Sequence, residues 1–287
     1  MQELKRIGKS FWFMTPVSET DRPTLGMVVG DNRNLMIDAG NSEAHARLFL
    51  EKLTKQNISK PDVVVLTHWH WDHIFGMSVL KDVMTISSAD TKKEMNKLIA
   101  YEWTDKALDE RVQKGTEIKF CADCIKKEFG HERNIQIVLP TLTFEHQLEI
   151  DLGGVTCVIK HVGGDHSKDS VVVYIKEEKV LFLGDSIYPD IFSSKKNYTS
   201  KHAFNLIKEL ETFDAETYIL SHSENMNRME FLKEIELQKV VGNLTEKYKG
   251  DAGKIKDAFR QAIDRPLNEE ELETINLFVN GYEMNNT

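Results

Sequence analysis

One unit occurs twice in this chain with the same order of chemistry: a hairpin ending in aspartate, a helix, and an apolar strand ending in histidine. The first copy runs over 27–38 to Asp38, through a helix, to 63–67 and His68. The second runs over 172–185 to Asp185, through a helix, to 218–221 and His222. Strand–helix–strand connections are right-handed and bring residues at the carboxyl ends of neighbouring strands together. Two such copies facing each other predict an α/β fold of the αββα sandwich kind. Two sheets lie inside, helices outside, and a crevice runs along one shared edge.

The strand of the first copy is a continuous β-branched run, 61–66, bounded by Pro61, and reads as buried on both faces. It leads directly into Thr67-His68-Trp69-His70-Trp71-Asp72-His73. In extended backbone His68 and His70 face the same way, and a bend after them can return Asp72 and His73 to the same cavity. A single histidine is ordinarily a surface or core side chain. Four ligand-type residues within six positions after a buried strand are better explained as a metal site, or two adjacent ones.

The remaining elements follow from periodicity and turn chemistry. An edge strand is expected at 11–17, and a hairpin at 24–29 and 34–37 around Gly30-Asp31-Asn32-Arg33. Ser42 reads as the N-cap of a helix reaching about Lys55. A short helix at 74–80, a strand at 83–87 and an inserted, charged helical layer at about 90–132 come next. Strands are expected at 135–139, 147–151, 155–160, 170–175 and 180–183, with Gly153-Gly154 turning between two of them. A helix within 198–213 and a last strand at 217–220 follow. From about 225 the pattern is helical, broken at Pro266 with Asn268 as an N-cap. The expected division is a domain at 1–225 carrying the 90–132 insertion, and a C-terminal helical extension at 226–287.

With 29% charged and 40% hydrophobic residues the chain has a soluble globular composition. No apolar run approaches the roughly 18 residues of a membrane span, and the N-terminus lacks the apolar core of a signal peptide. Three cysteines argue against a disulfide framework and for a reducing cytoplasm. A net charge of −9 argues against nucleic acid as the main partner. Apolar stripes on the terminal helices leave room for a homodimer.

The spacing His68-x-His70-x-Asp72-His73 resembles the signature of the metallo-β-lactamase-fold hydrolase superfamily, and the likeness extends over about 11–225. It implies the same αββα sandwich and three further ligands. The segment Gly163-Gly164-Asp165-His166-Ser167-Lys168-Asp169-Ser170 is similar to the family's Gly-His-Thr-Pro-Gly-Ser loop. His166 stands at its metal-binding histidine, Asp165 at a usual glycine, and Lys168-Asp169 at the Pro-Gly. Gly184-Asp185 resembles the family's Gly-Asp pair, and Ser221-His222-Ser223 its final histidine. The resemblance then assigns His68, His70 and His166 to one metal, Asp72, His73 and His222 to a second, and Asp185 as the bridge. Zinc suits this ligand set, with iron or manganese as alternatives. Asp38 mirrors Asp185 in the repeat but is expected to orient a ligand histidine instead.

Two such ions would share a water and lower its pKa, which implies a dinuclear metal-dependent hydrolase using a metal-bound hydroxide. Asp72 is the expected catalytic group, orienting the nucleophile or taking its proton. Tyr188 is a candidate oxyanion donor, with packing as its simpler role. The fold does not choose the substrate: a small ester, thioester or lactone is favoured, with phosphodiesters and β-lactams behind them. An iron-dependent oxygenase and a non-catalytic binding protein are the readings from other classes. His45, His131, His146 and His202 read as surface or capping residues, His202 having the best claim to reach substrate. His161 reads as a hydrogen-bonded strand end. Cys121-x-x-Cys124 reads as a helical-face coincidence, since no second pair follows. One of Trp69 and Trp71 is expected in the core and the other at the pocket wall.

Overall fold

The computed structural model describes residues 2–131 and 133–286. Position 132, the end of the expected helical layer, lies outside them, as do Met1 and Thr287. The chain opens with β1 (Leu4–Ile7) and β2 (Phe11–Met14), an antiparallel pair. The hairpin β3 (Leu25–Val29) and β4 (Asn34–Ile37) leads to α1 (Glu43–Thr54). Ser42 caps α1 by accepting the His45 N–H, as the sequence predicts. Then come β5 (Val63–Val65), the short α2 (Trp71–Ile74), a 3₁₀ stretch at Phe75–Leu80 and β6 (Met84–Ser88). The inserted layer is three helices: α3 (Ala89–Leu98), α4 (Asp105–Gln113) and α5 (Lys119–Phe129). With β7 (Leu142–Phe144) the first sheet is complete in the order β1-β2-β3-β4-β5-β6-β7.

The second sheet takes β8 (Gln147–Asp151), β9 (Thr156–His161), β10 (Val171–Ile175) and β11 (Val180–Gly184). Helix α6 (Ser200–Leu210) crosses to β12 (Thr217–Leu220), and the two-residue β13 (Met226–Asn227) ends the order β13-β12-β11-β10-β9-β8. The chain closes with α7 (Arg228–Tyr248), α8 (Ala252–Ile263) and α9 (Glu269–Asn286). Asn268 accepts the Glu271 N–H at the start of α9.

Side-chain alternation explains the layering. Val63 and Val65 face the space between the sheets, where they join Phe11, Leu35, Val171, Val173 and Phe182. Val64 points to the other face and packs with Phe49 and Leu53 of α1. This strand is therefore buried on both sides, which is why it lacks polar alternation. The outer face of the second sheet is covered by Leu206, Ile207 and Leu210 of α6 and by Phe231 and Ile235 of α7. The result is the α/β sandwich of two mixed sheets with helices outside. Within each copy of the repeat the outer strands are parallel, β4 to β5 and β11 to β12.

Three strand expectations are corrected. The strand at 11–14 is interior, because β1 pairs outside it; a four-residue strand with a charged middle carries little apolar signal. Residues 135–139 form no strand: Ile135, Ile137, Val138 and Leu139 pack against the outer core of the first sheet, and β7 begins beyond Pro140. The strand at 217–220 is followed by β13.

His45 is not at the surface. It is fully buried, and the Gln2 side-chain amide lies 3.0 Å from its Nε2. Burial, together with the nearby Arg22 charge, pushes its pKa down to about 3. An unfolded histidine takes its proton near pH 6.5. The resulting stability is present above that pH and is lost as pH falls toward 3. Replacing His45 with asparagine is expected to flatten the unfolding free energy between pH 4 and 6 by about 1.4 kcal/mol per pH unit. Urea titrations across that window measure it, and an unchanged slope would contradict the assignment.

Candidate metal centre

Strand β5 ends at Val65, and the residues that follow leave the sheet along the edge shared with the second sheet. His68 and His70 do project together, with ring centroids 4.5 Å apart. His70 then takes an extended backbone (φ −61°, ψ 148°) as the N-cap of α2, so Asp72 and His73 sit in the first turn of a new helix and face back to the same space. The extended pair plus one helical turn makes four ligand-type side chains converge from six positions.

The other three arrive from the second sheet. His166 lies in the loop between β9 and β10, its Nε2 3.0 Å from His70 Nδ1 and its Nδ1–H donating to the Pro189 carbonyl. Asp165, in the place of a glycine, accepts from the Thr199 N–H, the Thr199 hydroxyl and His202 Nδ1. Thr199 precedes α6 and makes no cap with its own side chain, so Asp165 caps the helix and anchors the His166 loop to it. His202 is thereby engaged on that carboxylate.

Asp185 shows why the two repeat aspartates differ. In the first copy Asp38 itself holds the left-handed conformation, φ 61°. In the second Gly184 holds it, φ 59°, and the aspartate comes one residue later. A Cβ on Gly184 would stand 3.1 Å from Thr67, so this turn presses against the first sheet's histidine strand. Asp185 Oδ2 lies 3.2 Å from His166 Nε2 and 3.4 Å from His222 Nε2, and Oδ1 lies 3.6 Å from His73 Nε2. Asp38 stays behind the cluster. Its Oδ2 accepts from His73 Nδ1 at 2.8 Å and from the Thr67 hydroxyl, and its Oδ1 accepts the Thr67 backbone N–H. That contact orients the His73 ring with Nε2 toward the cluster, the orienting role expected of it.

The seven residues fall into two groups of mutually close donor atoms: His68, His70 and His166, and Asp72, His73, Asp185 and His222. All are buried except His222, which is partly exposed. His68 Nε2, His73 Nε2 and Asp185 Oδ1 are buried without any hydrogen-bond partner. Buried polar atoms are rarely left so, and several aimed at one space fit a cation that would satisfy them together. Burial and the neighbouring imidazoles push His68 and His70 well below the usual histidine range, leaving them neutral and able to ligate. Burial opposes the charged forms of Asp72 and Asp185, but His73 and His222 outweigh it and hold both carboxyls well below the usual range.

One member of the site was missed from the sequence. Asp21, at φ 55° in the loop between β2 and β3, points Oδ1 at His222 Nδ1, 3.3 Å away. The contact is looser than the Asp38–His73 hydrogen bond, and burial pushes the Asp21 carboxyl up to about 7. Its neighbour Arg22 forms a bidentate pair with Glu128 of α5, and Glu128 also accepts from Ser42, so the inserted layer braces this loop. No local motif marks Asp21; only the fold brings it to a residue 201 positions away (222 − 21). Asp21→Asn is expected to weaken metal binding at the His222 side by about 10- to 100-fold, the usual effect of losing such a partner. Stepwise titration of metal-free protein reads this, and an unaltered second binding step would refute it.

The cluster opens onto a cleft of about 360 Å³ lined by Asp21, His70, Asp72, Tyr188, Phe192 and His222, among others. The Tyr188 hydroxyl is 2.8 Å from Ser223 Oγ and accepts from the His222 N–H, so it is already engaged. The two His161 ring nitrogens face carbonyl oxygens, Nδ1 that of Glu145 at 3.2 Å and Nε2 that of Lys168 at 2.9 Å. Cys121 and Cys124 lie buried and unpaired on one face of α5. Among the described residues no helix is long and apolar enough to cross a membrane.

Comparison with known proteins agrees with this geometry. The family profile described as the metallo-beta-lactamase superfamily matches residues 20–222. The metallo-beta-lactamase fold-containing protein ST1585 of Sulfurisphaera tokodaii is 28% identical over 175 residues, 60% of this chain and 59% of its own length. The acyl-coenzyme A thioesterase MBLAC2 of Bos taurus is 25% identical over 187 residues, 62% of this chain and 63% of its own. The matched region thus spans about 60% of each of these relatives. Among solved structures, a metallo-beta-lactamase from Pontibacter korlensis shares the fold with a TM-score of 0.56 at 18% identity, covering 82% of this chain and 99% of that one. The sec-alkyl sulfatase PisA1, in a double-mutant form, has a TM-score of 0.66 at 15% identity, covering 99% of this chain and 50% of that one.

Proposed function

Because the chain belongs to the metallo-beta-lactamase superfamily, we propose that it is a metal-dependent hydrolase of a small thioester or ester. The observation that carries the reading is the cluster itself: seven histidine and aspartate side chains at one sheet edge, with buried unpaired nitrogen and oxygen atoms aimed at one space beside a cleft. His68, His70 and His166 would hold one divalent ion, Asp72, His73 and His222 a second, and Asp185 would serve both. Such ions, zinc first by the ligand set, supply Lewis acidity and a water that ionises near pH 7.

The chain's own residues do the rest. Asp72 lines the cleft and carries its charge between His73 and His222, so it can orient an attacking water and accept its proton at Oδ2. Asp38 and Asp21 keep the Nε2 atoms of His73 and His222 turned inward. Tyr188, engaged with Ser223, shapes the wall of the cleft. A thioester is favoured because a relative named as an acyl-coenzyme A thioesterase shares this part of the chain. In this reading residues 1–225 are the hydrolase unit, the 90–132 insertion covers its site, and 226–287 is an extension that buttresses the second sheet. The buried free thiols suit a reducing cytoplasm.

Metal analysis of the purified protein, joined to a panel of thioester, lactone, β-lactam and phosphodiester substrates, tests the proposal. Two bound ions and thioester turnover are expected. Full metal loading with no hydrolysis of any member would reject it.

A further inference from the structure

A second, narrower space opens beside the cleft. It measures about 70 Å³ and shares His70, Trp71 and Phe192 with the cleft, so the two meet at the metal cluster. Its other walls come from Trp69 and from the inserted layer: Leu98, Tyr101, Trp103, Thr116 and Glu117. Both motif tryptophans therefore face it, which gives a use to a pair that the ligand chemistry leaves unexplained. We propose that this slot is the acyl subsite of the hydrolase, and that it selects a short or aromatic acyl group over a long alkyl chain. The proposal rests on the hydrolase reading above and names the substrate class within it.

Size assigns the two ends of the substrate. The slot holds only a small group, whereas the cleft is larger and more open, with Lys196 and Glu273 among its lining. The bulky thiol carrier belongs in the cleft, and the carbonyl at the cluster leaves the acyl group pointing into the slot. The walls favour a flat guest. Trp69 lies 4.8 Å from the His70 ring and 6.4 Å from Phe192, and Tyr101 lies 5.9 Å from Trp103. These are the spacings of offset and edge contacts between rings. Arg111 holds Tyr101 and Trp103 in place, its guanidinium 4.7 and 4.8 Å from their centroids.

A polar wall residue limits length. Glu117 Oε1 accepts the Ile118 N–H, and the nearby Arg111 charge favours its carboxylate, but burial outweighs both. Burial already pushes that carboxyl up. An alkyl chain running past it would strip its remaining water without offering a partner. A phenyl ring or a short chain can pack on the aromatic walls instead.

The test uses metal-loaded protein and N-acetylcysteamine thioesters carrying acetyl, phenylacetyl or octanoyl groups. Phenylacetyl is expected to exceed octanoyl in kcat/KM by at least about tenfold. Glu117→Leu should raise the octanoyl-to-phenylacetyl ratio about tenfold, and Tyr101→Ala, at a residue 37% exposed and so tolerant of change, should lower the phenylacetyl-to-acetyl ratio. A wild-type preference for octanoyl, or two variants that leave both ratios unmoved, overturns the slot. If no thioester turns over, the thioester part of the hydrolase reading fails separately, and the slot is read by binding. Phenylacetamide should then quench tryptophan fluorescence saturably in the wild type and weakly in Tyr101→Ala; no saturable quenching overturns it.

Discussion

Asp72→Ala is expected to reduce kcat/KM for any hydrolysed substrate by about 10³- to 10⁴-fold, with metal content falling at the His222 side. Two losses combine. General-base assistance by a positioned carboxylate is worth about 10² to 10⁴ in rate. The same side chain sits 3.1 Å from His73 Nε2 and 3.2 Å from His222 Nε2, so its removal also strips a donor from one of the two groups. The histidines would lose the carboxylate that, against the effect of burial, helps raise their pKa values well above the usual range. Steady-state kinetics and metal analysis on the same preparation measure the two losses together. Turnover within tenfold of wild type would remove Asp72 from the mechanism.

Removing metal is expected to lower the midpoint of thermal unfolding by about 10 °C. Ions that bind the native site and not the unfolded chain stabilise by about 4 kcal/mol when free metal stands at 1,000 times Kd. In a chain of this size each kcal/mol shifts the midpoint by about 2–4 °C. The site supplies the reason for so strong a linkage. Its donors lie within 4.8 Å of one another in each group, several have no other partner, and residues from both sheets contribute. Without the ions, like-charged or unpaired groups stay buried at the seam between the sheets. Dialysis against a chelator, then calorimetry with and without added zinc, checks the shift. Identical midpoints would mean that the cluster does not bind metal under those conditions.

Much of this protein is legible from local sequence because the features that matter are short-range. A strand buried on both faces has to read as an unbroken apolar run, and 63–66 does. Glycine at 184 marks a left-handed turn that few other residues tolerate, and the aspartate after it reaches the cluster. The repeat predicts the two sheets because each copy is closed by neighbouring parallel strands. The errors have the opposite character. β1 is too short and too charged to register. The apolar run at 135–139 has a strand's composition, yet it serves to hold the inserted helices against the outer core.

Local sequence was enough to read the family, the sandwich and the set of side chains that come together, because strand period, turn chemistry and motif spacing act over a few residues. The tertiary structure alone decided that Asp21 stands behind His222, that His45 is sealed in the core, and that Tyr101 and Trp103 face Trp69 across a slot. Those contacts join positions far apart in the chain. Their partners are chosen by how whole layers pack, and no short-range preference records that choice.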